Sequence, residues 1–274
     1  MQERVIEGLT DSTIASYQYA LDRYLDKILQ ETLPEFFTYL RGQELSVHTI
    51  YGIRTSVRAF LRYIYQEGFT DIEFRVPRRR KPKRRVTALS PREVQVLMQA
   101  CGKVKFKQRR NAMLIRFFYD TGLRMSECVN IKMGDIDWRS RTVRVIGKGS
   151  KERVVPFGHK TRKALWEYLK DREKYRNHSP IYADCLWIGP DGYPLTNKSV
   201  QEVFKKLKAK TGLPIHAHKF RHSFGLSFID AGGVRGYLQR ILGHEDMSTT
   251  DVYVNPTAEH LSRHHDKLSP GDKI

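Results

Sequence analysis

The sequence predicts a mainly α-helical chain with one small β-sheet, divided into an N-terminal helical bundle and a larger α+β domain. Three observations carry this. Apolar residues recur at helical spacing through most of the chain, between capping residues and glycines. One stretch, from Thr142 to Pro156, alternates instead and is rich in β-branched residues. From Arg75 to Arg85 the composition changes to Arg-Val-Pro-Arg-Arg-Arg-Lys-Pro-Lys-Arg-Arg, with no acid. Prolines and like charges keep such a segment extended, so it reads as a linker.

In chain order, residues 11–30 form the first helix, with Asp11 or Ser12 as cap and Ile14, Tyr17, Leu21, Tyr24 and Leu25 at helical spacing. Pro34 opens a shorter helix through Arg41. Ser46 to Gln66 is long and amphipathic, with Ile50, Ile53, Val57, Phe60, Leu61 and Ile64 on one face and Gly68 after it. The polar faces carry Arg41, His48, Arg54, Arg58 and Arg62, either an ordinary solvated face or a phosphate-contacting one. The domains are thus 1–74, a linker at 75–87, and 88–274. The second domain begins at a capping box, Ser90-Pro91-Arg92-Glu93. A helix from Gln108 to Thr121 closes at Gly122. Thr142–Ile146 and Arg153–Pro156 form a hairpin with Lys148 at its tip. Helices follow at 159–172, 197–211, 217–231 and 234–242.

The charge balance narrows the partner. There are 49 basic against 30 acidic residues, a net of +19. With 40% apolar residues a core can form, so this is a folded binder of a polyanion, and nucleic acid is expected. No run approaches the roughly 18 apolar residues of a membrane span, so no membrane partner is expected. Met1 to Thr10 lacks a signal-peptide core, and Cys101, Cys128 and Cys185 read as reduced thiols. A cytoplasmic, DNA-associated protein is the expectation.

Five segments stand out: Thr121-Gly122-Leu123-Arg124-Met125-Ser126-Glu127, Gly147-Lys148-Gly149-Ser150-Lys151-Glu152-Arg153, His218-Lys219-Phe220-Arg221-His222, Leu242-Gly243-His244 and Ser248-Thr249-Thr250-Asp251-Val252-Tyr253. Singly each is weak. In this order and spacing they resemble the catalytic domain of the tyrosine recombinases, or phage integrase family, most like the Xer-type and simple transposon or phage members. The motifs span 121–253, and the bundle and linker extend the likeness to nearly the whole chain.

The resemblance implies a SAM-like core-binding bundle and a catalytic domain that together clamp DNA in a C shape. It implies Tyr253 as nucleophile, Arg124 and Arg221 on the scissile phosphate, and Lys148 as the acid for the departing 5′ oxygen. Lys151 is a rival for that lysine, but Lys148 holds the matching Gly-Lys-Gly position. His218 would take the nucleophile's proton, His244 would hydrogen-bond the phosphate, and Glu127 would support an arginine or histidine. The chemistry suits the types: a guanidinium is a rigid fork of donors that stays charged, matching the oxygens of a phosphate. DNA contacts are expected at Arg54, Arg58, Arg78, Arg79, Arg80, Lys81, Lys83, Arg84, Arg85 and Lys219. His222 reads as structural. Neither His216, His218 and His222 nor His260, His264 and His265 has the spacing of a metal site, so no metal and no cofactor is expected.

The implied partner is double-stranded DNA with a specific core site. A homotetramer would assemble on two duplexes from a monomer or weak dimer, with a helix at about 257–268 that docks either on a neighbouring subunit, as in the family, or on its own domain. Two rivals remain: a type IB topoisomerase with the same chemistry, and a non-catalytic DNA-binding protein on this fold.

Overall fold

The computed structural model describes residues 11–30, 33–71, 73, 88–147, 151–175 and 182–243. The basic linker, Lys148, His244, Tyr253 and the expected exchange helix lie outside these. The chain divides into two compact units, Met1–Arg85 and Val86–Ile274.

The first unit holds α1 (Asp11–Gln30), α2 (Leu33–Gly42) and α3 (Val47–Gln66). Ser46 caps α3, its Oγ accepting from the Thr49 N–H at 3.0 Å. Tyr24, Phe36, Phe37, Leu40, Ile53, Val57 and Leu61 form its core. Arg54 stacks its guanidinium 3.8 Å from the Phe37 ring centroid, so part of its job is to cover that core. Arg58, one turn on, is half-buried.

The second unit begins with α4 (Pro91–Cys101), opened by the expected capping box: Ser90 Oγ accepts from the Glu93 N–H, and Glu93 accepts from the Ser90 N–H. Next come α5 (Phe106–Thr121) and a short α6 (Met125–Val129). The sheet follows, then α7 (His159–Arg172), α8 (Asn197–Thr211), α9 (Ala217–Asp230) and α10 (Arg235–Leu242). Leu114, Ile115, Phe117 and Phe118 of α5 are fully buried at the centre of the core. Trp187 sits beside them, 5.5 Å from Phe117 and 5.3 Å from Tyr168 between ring centroids.

The hairpin of β2 (Thr142–Ile146) and β3 (Glu152–Pro156) is antiparallel, in the register Thr142↔Pro156 to Ile146↔Glu152. A third strand, β1 (Ile136–Asp137), pairs antiparallel to β2 and makes a sheet of order β1-β2-β3. The sequence does not reveal β1 because two residues are too few to alternate. Val143, Val145 and Val155 point into the core while Ile146 and Val154 are exposed. Arg153 therefore shares the inward face with Val155, an unusual place for a charge.

Candidate active site

The site is built where two chain turns and a strand meet. The first ends α5. Gly122 takes a left-handed backbone, φ 62°, and a Cβ there would lie 2.6 Å from Phe224 Cδ1. Only glycine fits, and the turn it makes delivers Arg124 to the start of α6. Glu127, one turn into α6, reaches back and accepts from the Arg124 N–H at 2.8 Å. The same carboxylate accepts Arg124 Nη1 at 2.8 Å.

The second contributor is β3. Arg153 donates to Glu127 through both Nη1 and Nη2, each at 2.8 Å. Burial alone would push the Glu127 carboxyl up. The Arg153 guanidinium and the Arg124 backbone and side chain outweigh it and hold the acid at about 2. Glu127 is thus a permanent anion, buried, with four hydrogen bonds to two arginines.

The third contributor is the turn that ends α10. Arg153 Nε donates to the Ile241 carbonyl at 2.8 Å, Arg221 Nη2 to the Leu242 carbonyl, and Arg124 Nη2 to the Gly243 carbonyl at 3.5 Å. Three guanidiniums thus grip three successive carbonyls at the negative end of a helix. Arg221, 2% exposed, also donates to the Gly122 carbonyl at 3.0 Å. The next residue in the chain is His244.

His218 and Arg221 lie on α9, one turn apart. His218 is exposed and meets His222 edge to face, ring centroids 4.3 Å apart. Burial, then His218, Arg221 and His216, hold the His222 imidazole down at about 4. It is therefore neutral at pH 7 and adds no charge beside Arg221. His216 caps α9, its Nδ1 accepting from the Lys219 N–H at 3.1 Å. Among the described residues no group of three or more His, Cys, Asp or Glu is placed to hold a metal ion.

Of the expected site residues, the structure brings Arg124, Glu127 and Arg221 together and places His218 on the same helix as Arg221. Lys219 is different. It is 7% exposed, and its charge acts on Glu93. It stands on the same helix as His218 and Arg221. Arg153 is the residue that sequence reasoning missed. Its signal was present: in the alternation of β3 it falls on the inward face, where a charge demands a buried partner.

Two guanidiniums share the Glu127 carboxylate and a third, Arg221, is held on the Gly122 and Leu242 carbonyls, so the cluster carries three positive charges against one negative. Arg124 keeps 42% of its side chain exposed, so the excess is open to an incoming anion. The arrangement suits a phosphodiester, whose non-bridging oxygens gain charge as it is attacked.

Comparison with known proteins fits this geometry. The family model described as phage integrase family matches residues 87–260. Tyrosine recombinase XerC of Oceanobacillus iheyensis is 30% identical over 94% of this chain and 90% of its own. Tyrosine recombinase XerD of the same organism is 30% identical over 97% and 95%. Among solved structures, the Tn1549 transposon integrase in complex with circular intermediate DNA has a TM-score of 0.75 at 20% identity, covering 97% of this chain and 96% of that one. XerH recombinase bound to difH substrate, a pre-cleavage complex, has a TM-score of 0.70 at 22% identity, over 93% and 79%. At that identity the likeness to the solved structures is one of fold.

Proposed function

The chain belongs to the phage integrase family and is a tyrosine recombinase, an enzyme of site-specific DNA recombination; on that footing we propose that Tyr253 is its nucleophile and that Arg124 and Arg221 hold the scissile phosphate. The observation that carries this is the anchoring of Arg124 by buried Glu127, beside Arg221, on the turn that precedes His244.

In the reaction, the Tyr253 oxygen attacks phosphorus in line with the departing 5′ oxygen. His218 takes the phenol proton, since a phenol of ordinary pKa near 10 is mostly protonated at neutral pH. Lys148 gives a proton to the 5′ oxygen. Arg124 and Arg221 neutralise the charge on the non-bridging oxygens, and His244 adds a hydrogen bond. The products are a 3′-phosphotyrosyl link and a free 5′ hydroxyl. A 5′ hydroxyl from the partner duplex then attacks the link, restores the phosphodiester and frees the tyrosine. No external energy source is consumed, because the covalent link conserves the bond. The guanidiniums supply the charge that a divalent cation supplies in many nucleases.

The partner is double-stranded DNA with a specific core site, bound by both units and the basic linker, in the cytoplasm. Four protomers on two duplexes carry out successive exchanges through a Holliday junction, with the segment 257–268 docked on a neighbour. A duplex carrying a core site selected by binding, and nicked close to the scissile phosphate, tests this. Wild type accumulates a covalent protein–DNA adduct, and Tyr253→Phe binds the same DNA but forms none. No adduct with wild type refutes the reading. Relaxation of supercoiled plasmids that lack any core site points to a topoisomerase instead.

A further inference from the structure

We infer that Arg153 is a positioning residue for Arg124: it occupies Glu127 end-on, through both terminal nitrogens, and pins it to the end of α10, so that Arg124 meets the phosphate in one orientation. The inference rests on the reading of Arg124 as a phosphate-binding arginine.

Arg153 does not itself face the incoming DNA. Only 12% of its side chain is exposed, against 42% for Arg124. Its fork is committed inward, two nitrogens to Glu127 and the third to the Ile241 carbonyl. That commitment decides what Arg124 can do. A carboxylate facing a single arginine favours a two-pronged pair, which would draw both terminal nitrogens of that arginine away from other ligands. Here Arg153 holds the two-pronged place. Arg124 reaches the carboxylate through Nη1 alone, its Nη2 makes only a long contact with the Gly243 carbonyl, and 42% of its side chain stays exposed. Removing Arg153 would let Arg124 rotate onto Glu127 and turn from the phosphate.

A separate feature of the chain agrees. Gly243 takes φ 63°, and a Cβ there would lie 2.9 Å from Arg153 Cδ, 3.1 Å from Nε and 3.2 Å from Cζ. The glycine of Leu242-Gly243-His244 is therefore what allows the Arg153 side chain to lie flat on the turn. Substitutions at Gly243 and at Arg153 should then produce one phenotype, although Gly243→Ala removes no charge.

The test uses the full-length protein with Arg153→Met, Arg153→Lys and Gly243→Ala, and with Arg124→Ala as reference. Single-turnover cleavage is measured on the nicked duplex and on the same duplex with a neutral methylphosphonate at the scissile position. DNA affinity should stay within about threefold of wild type, while phosphodiester cleavage falls about a hundredfold for Arg153→Met. Arg153→Lys and Gly243→Ala should fall less. The methylphosphonate lacks the charge that Arg124 neutralises, so each deficit, including that of Arg124→Ala, should shrink to below about tenfold. If Arg124→Ala shrinks and the Arg153 and Gly243 variants lose equally on both substrates, Arg153 is only structural and the inference is wrong. If Arg124→Ala itself fails to shrink, the phosphate-binding reading has failed and takes this one with it. Should Arg153→Met not fold, Arg153→Lys and Gly243→Ala, which keep the positive charge, decide the matter by the same comparison.

Discussion

Buried arginines occupy two regions of the second unit, and they are held in different ways. Under Trp187, Arg172 is 2% exposed and donates to the carbonyls of Ala183, Cys185 and Leu186. Arg110, 3% exposed, donates to the Ile188 carbonyl and the Asn111 side chain. Their hydrogen-bond partners are neutral, with carboxylates only at longer range, Glu173 at 4.0 Å from Arg172 and Asp191 acting on Arg110, and they clip residues 183–188 onto α5 and α7. Around Glu127 the arginines share a buried carboxylate, and one of them reaches the surface. Arg221 is as buried as Arg172. Burial of an arginine therefore does not mark function here. What distinguishes this region is a buried carboxylate shared between arginines, with one of them, Arg124, anchored on one side and open on the other.

The comparison breaks first on rate against stability. Arg221→Lys keeps the charge but loses the fork, and single-turnover cleavage should fall by about a hundred- to a thousandfold. Arg172→Met should leave cleavage by the folded protein within about threefold but lower stability by about 3 kcal/mol, because several carbonyls lose their donors. Urea denaturation with cleavage assays on both proteins checks this, and a large cleavage loss in Arg172→Met would erase the distinction.

The second break is in pH. Glu127 is held at about 2, below its ordinary 4.5, so folding favours its ionised form. Its contribution is fully present above pH 4.5 and is lost as pH falls from 4.5 toward 2. That amounts to about 3 kcal/mol at most. Glu127→Gln should lack this acid slope when denaturation is followed at pH 7, 4.5 and 3, whereas Arg172→Met should retain it.

The smallest effect concerns the approach to the site. Ser223 Oγ accepts from the Leu89 N–H at 2.7 Å and donates to the Lys219 carbonyl at 2.8 Å, tying the start of the second unit to the helix of His218 and Arg221. Ser223→Ala should lower stability by about 1–2 kcal/mol, as an N–H is left buried and unpaired. Cleavage by the folded protein should change by less than about threefold; a larger loss would extend the functional region to Leu89.

The sequence made the helix ends legible because their stop and start signals are local. Ser46, the Ser90–Glu93 box, Gly122 and Gly212 all do at the helix ends what their residue types predict. The hairpin was legible from its alternation. Strand β1 and helix α6 were not, since two and five residues carry no period. Of the site, the two arginines, the histidine and Glu127 came from motif spacing. Arg153 did not yield to it, because its partner, Glu127, lies on another element, 26 residues earlier in the chain. The inward face of β3 was the clue to Arg153.

The central claim is that one tyrosine carries the DNA on its side chain while anchored arginines hold the phosphate. Mass spectrometric mapping of the adduct trapped on a nicked duplex tests it most directly. The account predicts a single DNA-linked peptide with the 3′ phosphate esterified to Tyr253, formed by wild type and absent when Arg124 and Arg221 are both replaced by alanine. A linkage at any other residue, or through a 5′ phosphate, would contradict it.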